Sequence, residues 1–313
     1  MRVLRLTIAY DGTRYAGWQA QARGGRRGAQ RRGPPTIQGT LERTLRRILR
    51  EPAKIVGSGR TDAGVHAYAQ VAHLVTRSSI AATRLLRSLN QLLPPDLAVT
   101  EMAEARRGFH ARFDASSKRY RYRIFTGEVV PPFIRRYVFH CRHPLHLARM
   151  RREVAALNGR HDVRAFARAS GRAAGTTIRT VSMARISRHG EELIFDIEGS
   201  GFLHTMVRSI VGTLVDVGRG RLPAGTIRRM LATGNRRLAG TTAPAHGLAL
   251  MEVRYATADR AQQGQSRRLG LAARIERRPR ETTHHLDSRR DRGQNKDKRT
   301  NRGVVSHFEN PAP

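Results

Sequence analysis

The spacing of apolar residues changes along this chain in an order that occurs twice, and this order constrains the fold more than any single residue does. Alternation of apolar and polar residues is typical of a half-buried strand, whereas recurrence every three or four residues lines one face of a helix. In the first half the pattern predicts a strand, a helix, two strands and a helix over residues 4–10, 37–49, 55–56, 70–75 and 85–93. In the second half it predicts strands over residues 120–124, 178–186, 193–197 and 248–253, and helices over 147–157, 203–217 and 227–231. We therefore predict an α+β fold.

Each half has roughly the order strand, helix, two strands, helix and strand, which is the order of a ferredoxin-like unit. The two halves do not match residue by residue, so the repetition is an expectation about architecture. We predict two domains of this kind, residues 1–108 and 109–258, with mainly antiparallel sheets around a basic central cleft. Beyond Tyr255, apolar residues become too sparse to form a core. Residues 259–313 are therefore predicted to be a disordered basic tail.

The charge of the chain predicts a polyanionic partner. It has 59 Lys and Arg residues against 24 Asp and Glu residues, a formal net charge of +35. Residues 259–313 contain 14 basic and 7 acidic residues, so most of the excess lies in the part that is predicted to fold. Each phosphate neutralised by a basic side chain releases a condensed counterion, which favours binding to nucleic acid. Charge alone fits a basic ribosomal or chromatin protein equally well.

Several features favour a cytoplasmic location. A single cysteine, Cys141, leaves no partner for an intramolecular disulfide and no cysteine metal cluster. Residues 1–10 lack the apolar stretch of a signal peptide. No segment approaches the roughly 20 apolar residues that a membrane helix needs. We expect no membrane association, no metal and no cofactor.

A glycine-rich segment that follows a predicted strand carries the residues with the most chemical potential. Residues 57–67 read Gly-Ser-Gly-Arg-Thr-Asp-Ala-Gly-Val-His-Ala. Glycine here permits positive φ and the close approach of a substrate. Arg60 and Asp62 place opposite charges at the end of the strand, where basic neighbours would hold a carboxylate ionised, as a nucleophile requires. Charge and spacing alone favour a surface turn in which Asp62 caps the following residues, because glycine-rich turns with an aspartate are common.

This segment resembles the signature of the tRNA pseudouridine synthase A family. The opening Tyr-Asp-Gly-Thr-Arg-Tyr-Ala-Gly-Trp-Gln of residues 10–19 is similar to the family's first strand and turn. Further motifs of the family are matched in order by residues 109–113 with 117–122, 201–212 and 242–248. The resemblance covers residues 3–255, and five ordered motifs are far more specific than one.

The resemblance implies a pseudouridine synthase fold and an isomerase that converts uridine to pseudouridine at positions 38, 39 and 40 of the tRNA anticodon stem-loop. It also implies a homodimer in which one tRNA contacts both subunits. Asp62 would be the nucleophile, attacking either the uracil ring or the anomeric carbon of the sugar. The reaction involves no redox change, in agreement with the absence of a cofactor motif.

The resemblance assigns further catalytic roles to Tyr120, Arg208 and Arg60. Tyr120 would stack on the uracil, whereas Tyr122 is expected in the core. Arg208 would pair with Asp62, because a buried arginine on an apolar helix needs a partner. Arg60 would contact the RNA backbone or fill the space left by a flipped nucleotide. The residues predicted to grip the anticodon arm are Phe109, His110, Ala111, Arg112, Phe113, Arg168 and Arg172.

Two alternatives remain open at this stage. A non-catalytic RNA-binding protein could keep the fold without the activity, and a related synthase could act on another RNA. The intact set of Asp62, Tyr120 and Arg208 favours an enzyme. An insert at residues 22–35 carries five arginines, and it could recruit other RNAs. We predict that this insert and the tail are dispensable for catalysis.

Overall fold

The computed structural model describes residues 1–19, 34–168 and 175–256. Most of the insert at 22–35, the residue Arg172 and the tail at 259–313 therefore lie outside the described residues. In these ranges no helix has the length and apolar character needed to cross a bilayer.

The first half contains four strands and two helices. The strands are β1 Arg2–Tyr10, β2 Ile55–Gly57, β3 His66–Thr76 and β4 Leu97–Ala105. The helices are α1 Ile37–Leu49 and α2 Ala82–Leu92. Helix α1 begins where the Thr36 side chain accepts a hydrogen bond from the Gly39 amide at 3.1 Å, which satisfies one of the free N–H groups of the first turn. It buries Ile37, Leu41 and Leu45 against the sheet.

The second half contains six strands and three helices. The strands are β5 Ala115–Phe125, β6 Phe139–His140, β7 Gly159–Asp162, β8 Ile178–His189, β9 Glu192–Gly199 and β10 Leu248–Tyr255. The helices are α3 Leu147–Ala155, α4 Met206–Gly218 and α5 Thr226–Thr233. Strands β6 and β7 are too short to show a period in the sequence, which explains why the pattern did not predict them.

Both halves arrange their strands in the same order. In the first half the neighbours are β4, β1, β3 and β2, and in the second half they are β10, β5, β9 and β8. All pairings within these two sets are antiparallel. With the connecting helices, each half is a ferredoxin-like unit, so the predicted fold class is confirmed. The boundary predicted between residues 108 and 109 falls in the connection between β4 and β5, and it remains a prediction.

The sheets of the two halves are joined into one. Strand β10 pairs with β3 in parallel, through Ala249 with His66 and Leu250 with Ala67. Strand β2 pairs with the far part of the same edge, at residues 72–74 of β3. The connection from β2 to β3, residues 58–65, therefore emerges between β2 and β10. The glycine-rich signature thus lies at the seam between the halves.

Candidate active site

The signature connection, residues 58–65, is held by hydrogen bonds to β3 and to the opening turn of the chain. The buried Ser58 donates from its amide to Val71 O at 2.7 Å and from its hydroxyl to the Gln70 side chain at 2.6 Å. The amide group of Gln70 returns a hydrogen bond to Gly59 O at 3.1 Å. Because these partners are buried, the backbone before Asp62 has a defined path.

The opening turn packs directly on the signature. Trp18 donates from its amide to Thr61 O at 3.0 Å. Gly17 has φ +93°, and a Cβ there would lie only 2.5 Å from Thr61 O, so a glycine is required at this contact. The Tyr10 hydroxyl lies 2.9 Å from the Thr61 hydroxyl, and burial raises the pKa of Tyr10 to about 12. Tyr10 therefore acts as a neutral hydrogen-bonding group.

The carboxylate of Asp62 meets the side chains of Arg208 and His204 from the second half. Arg208 donates from Nη1 to Asp62 Oδ2 at 2.7 Å, and from Nε to Ala243 O at 2.8 Å. On α4, every residue except Arg208 is buried. His204 Nε2 lies 3.3 Å from Asp62 Oδ1. The Asp62 side chain keeps 21% of its surface exposed, so a substrate can reach it while Arg208 orients it.

Sequence reasoning missed His204 because the apolar pattern placed it inside a helix over residues 203–217. The helix begins only at Met206, since Thr205 takes a left-handed conformation with φ 60°. This turn lies between His204 and the helix. The only available signal was the position of His204 between two matched parts of a family motif.

Tyr120 and Tyr122 lie on the same face of β5 in different surroundings. Tyr122 is fully buried, and its hydroxyl donates to Pro244 O at 2.8 Å. Tyr120 is 8% exposed, and its ring meets Phe202 edge-on at 5.1 Å. Burial first, and then the charges of Tyr10 and Asp62, raise the pKa of Tyr120, so its phenol stays protonated. Tyr122 is thus a core residue, and Tyr120 lies within electrostatic range of Asp62.

Lys118 is a second residue that sequence reasoning missed. It lies two residues before Tyr120 on β5, and its ammonium group donates to Ser58 O at 2.6 Å. Burial, followed by the charges of Arg112 and Arg179, lowers the pKa of Lys118 to about 8. A Cβ on Gly59 would lie 3.2 Å from Nζ, so the lysine packs closely against the signature. The period of the strand, which places residues 118 and 120 on one face, was the available signal.

The residues predicted to grip RNA divide by exposure. Arg60, Arg112 and Arg168 are exposed, and so is Phe113 at 76%. The ring of His110 stacks on Phe113 at 4.3 Å. The Arg168 amide donates to His204 O at 3.3 Å, which places Arg168 beside the site.

Phe109 and Ala111 differ from these residues, because their side chains are 3% and 0% exposed. Phe109 packs against His73 and Tyr255, with ring centroids 6.2 and 5.2 Å away. Their side chains support the backbone of the segment and offer little surface to a partner. Arg172 lies outside the described residues.

The site combines a partly exposed carboxylate, an aromatic ring and basic side chains. In the described ranges, no group of three His, Cys, Asp or Glu side chains is placed to hold a metal ion. Asp62 is oriented by hydrogen bonds and could form a covalent bond with a substrate. Such a set of groups suits a partner that is both anionic and aromatic, as a nucleotide is.

Comparisons with known proteins identify the family. A family model described as tRNA pseudouridine synthase matches residues 6–114 and 154–256, more than half of the chain. The chain is 46% identical to the tRNA pseudouridine synthase A of Geobacter sulfurreducens, over 82% of this chain and all of the relative. It is 45% identical to that of Syntrophotalea carbinolica, over 83% and 98%, and 40% identical to that of Acetivibrio thermocellus, over 82% and 100%. The chain belongs to the tRNA pseudouridine synthase A family, and it is an isomerase.

A chain of the solved structure titled "Crystal Structure of a Cbf5-Nop10-Gar1 Complex" aligns with 79% of this chain and 57% of its own length. The TM-score is 0.30 at 10% identity, a likeness too low to carry an argument.

Proposed function

We propose that this protein isomerises uridine to pseudouridine at positions 38, 39 and 40 of the tRNA anticodon stem-loop, with Asp62 as its nucleophile. The observation that carries the proposal is the partly exposed Asp62 carboxylate, which Arg208 holds at 2.7 Å at the seam between the halves. The names of the relatives support tRNA as the substrate. The positions within the tRNA rest on the resemblance of the motifs.

The reaction needs no external reagent. Asp62 attacks the uracil ring or the anomeric carbon, and the bond from the sugar to the base nitrogen breaks. The detached uracil rotates and rejoins the sugar through carbon, and the bond to Asp62 breaks and frees the carboxylate. One proton leaves the new ring carbon as another arrives at the nitrogen. Arg208 and His204 stabilise the carboxylate when it is free. Because its phenol stays protonated, Tyr120 serves as an aromatic contact for the uracil and not as a base.

The exposed basic and aromatic groups near the seam would hold the RNA while the target base is extruded from its stack. Arg60, Arg112 and Arg168 would contact phosphates, and Phe113 with His110 would stack on an unpaired base. Arg172 is proposed for the same surface on the resemblance alone. A homodimer that shares one tRNA, in the cytoplasm where tRNA is used, completes the proposal.

The test is site-resolved detection of pseudouridine in an unmodified tRNA transcript with uridines at 38, 39 and 40. The wild type is expected to form product, and Asp62→Asn is expected to be slower by at least about 10³-fold, because an amide is no nucleophile. Asp162→Asn is the matched control, since Asp162, the last residue of β7, pairs with Arg164 and lies outside the site.

Wild-type turnover that survives Asp62→Asn would refute the role of Asp62. Tight tRNA binding without any product from the wild type would point to a different RNA substrate or to a non-catalytic RNA-binding protein.

A further inference from the structure

A cationic groove of about 570 Å³ lies on the first half, and none of its lining residues belongs to the Asp62 site. We call it the α1 groove. It is bounded by helix α1, by Arg14 with Tyr15, and by the end of α2 with the residues after it, namely Leu92, Pro94 and Asp96.

One stripe of α1 faces this groove. The stripe consists of Thr40, Arg43, Thr44 and Arg47, at the spacing i, i+3, i+4 and i+7 that aligns side chains along a helix. Both arginines are exposed. Arg43 lies 3.3 Å from the Thr40 hydroxyl, and within the described ranges neither arginine forms an ion pair with a carboxylate. Two positive charges are therefore available to a ligand.

The single carboxylate that lines the groove is already compensated. Asp96 accepts hydrogen bonds from Arg14 Nε at 2.8 Å and from the Tyr15 hydroxyl at 2.7 Å. Its side chain is only 14% exposed, whereas that of Arg14 is 68% exposed. An anion in the groove would therefore meet Arg43 and Arg47 without strong repulsion from Asp96.

Three of the residues that line the groove are apolar. Leu92 is 44% exposed, and Pro35 and Pro94 line the groove with it. Guanidinium groups bind phosphate oxygens in a forked geometry, and apolar side chains suit the face of a ribose or a base. This combination matches a segment of polynucleotide better than it matches a free inorganic ion.

The groove is also close to the signature. Tyr15 lines the groove, and Trp18, three residues later, donates to Thr61 O at 3.0 Å. Three residues span at most about 11 Å. One RNA molecule is therefore large enough to reach both places.

We propose that the α1 groove binds the phosphodiester backbone of the tRNA whose base enters the Asp62 site, so that Arg43 and Arg47 extend the RNA footprint beyond the reacting nucleotide. The identity of the RNA rests on the proposed function, whereas the existence of a phosphate site in the groove does not.

The test compares tRNA affinity across a series of salt concentrations for three proteins. Arg43→Ala/Arg47→Ala removes both free charges of the groove. Arg46→Ala/Arg87→Ala is the matched control, since it removes two exposed arginines of α1 and α2 that do not line the groove. The groove variant is expected to lower the slope of log K against log salt by about 1 to 2, because each lost phosphate contact removes about one released counterion. The control is expected to keep the wild-type slope.

Turnover separates this role from a structural one. The groove variant is expected to raise KM for tRNA and to leave kcat unchanged. Arg43→Lys/Arg47→Lys is expected to recover most of the salt slope, because counterion release depends on charge. Equal slopes for the groove variant and the control, with an active wild type, would overturn the inference alone. An inactive wild type would count against the proposed function, while the comparison of slopes would still test the groove.

Discussion

The two halves share one order of strands but differ in one connection, which joins β2 to β3 in the first half and β8 to β9 in the second half. In the second half, β8 and β9 are joined by the two residues Gly190 and Glu191, with φ +57° at the glycine. Such a connection forms a tight hairpin turn. In the first half, β2 and β3 are joined by the eight residues 58–65. This longer connection leaves the sheet at the seam and carries Asp62.

The second half supplies the side chains that surround the Asp62 carboxylate. Its α4 and the turn before it place Arg208 and His204 against the carboxylate, and its β5 contributes Tyr120 and Lys118. The candidate site is therefore assembled only where β3 pairs with β10. The comparison teaches that two halves with one strand order can divide a site, with the carboxylate on one half and the side chains that orient it on the other.

The largest effect is expected from breaking the contact between the halves at Arg208. Arg208→Met should lower the rate of pseudouridine formation by about 10²- to 10³-fold, because the group that orients Asp62 is lost. The rate of Arg208→Lys should lie between the rates of this variant and the wild type. An ammonium keeps the charge but cannot bind Asp62 and Ala243 O in the same forked geometry. Single-turnover rates with saturating tRNA measure both.

Arg185→Met is the control for the loss of a charge in the second half, because Arg185 pairs with Asp196 at 3.3 Å and its side chain is 64% exposed. If Arg208→Met turned over as fast as Arg185→Met, the division of the site between the halves would be wrong.

A smaller effect, on stability, is expected from Lys118, which connects β5 to the signature. Burial lowers the pKa of Lys118 to about 8 in the folded protein, against about 10.4 in an unfolded chain. Below pH 8 the folded and the unfolded chain both carry the proton on Lys118, so folding incurs the full free-energy cost of burying the charge. Between pH 8 and 10.4 the unfolded chain binds more protons, so stability rises with pH, by up to roughly 3 kcal/mol.

Lys118→Met should lack this rise. The measurement is the free energy of unfolding in urea at pH 7.5 and pH 10 for the wild type, Lys118→Met and the control Lys54→Met, which changes an exposed lysine. The wild type and the control should gain stability relative to Lys118→Met at the higher pH. Parallel pH dependence in all three proteins would show that Lys118 is not buried against Ser58.

The comparison of the halves also shows what the sequence could predict. Local periodicity was sufficient for most strands and helices, because each pattern depends on neighbours within a few residues. Arg208 could be singled out from the resemblance and from the cost of an unpaired arginine on an apolar helix. The contact between residues 62 and 208 itself depends on the pairing of β3 with β10, which no local pattern encodes.

Two other features of the structure could not be predicted from the sequence, for related reasons. The left-handed Thr205 is not a glycine, so nothing in the sequence marked the late start of α4. Phe109 and Ala111 were grouped with the RNA-binding residues because they share a motif with Arg112. Their burial depends on packing against His73 and Tyr255 from distant strands, which the motif does not reveal.

The smallest effect comes from one substitution made in both connections. Gly64 and Gly190 have φ +79° and +57°, so alanine at either position is strained, at a cost of about 1 kcal/mol. A Cβ at Gly190 has no atom within 4 Å, whereas a Cβ at Gly64 would lie 3.3 Å from the Cβ of Ala245 in the second half.

Gly190→Ala should therefore lower the free energy of unfolding by about 1 kcal/mol and leave the rate of pseudouridine formation unchanged. Gly64→Ala should have a similar effect on unfolding and should also lower the rate by about 10-fold, because a small shift two residues from Asp62 misplaces the carboxylate. Urea unfolding and single-turnover rates of the two variants make the comparison at matched strain. A rate loss that was equal in both would mean that strain anywhere in the sheet impairs the enzyme, and the long connection would lose its special role. A rate loss confined to Gly64→Ala would link catalysis to the eight-residue connection, which in the second half is replaced by a two-residue turn.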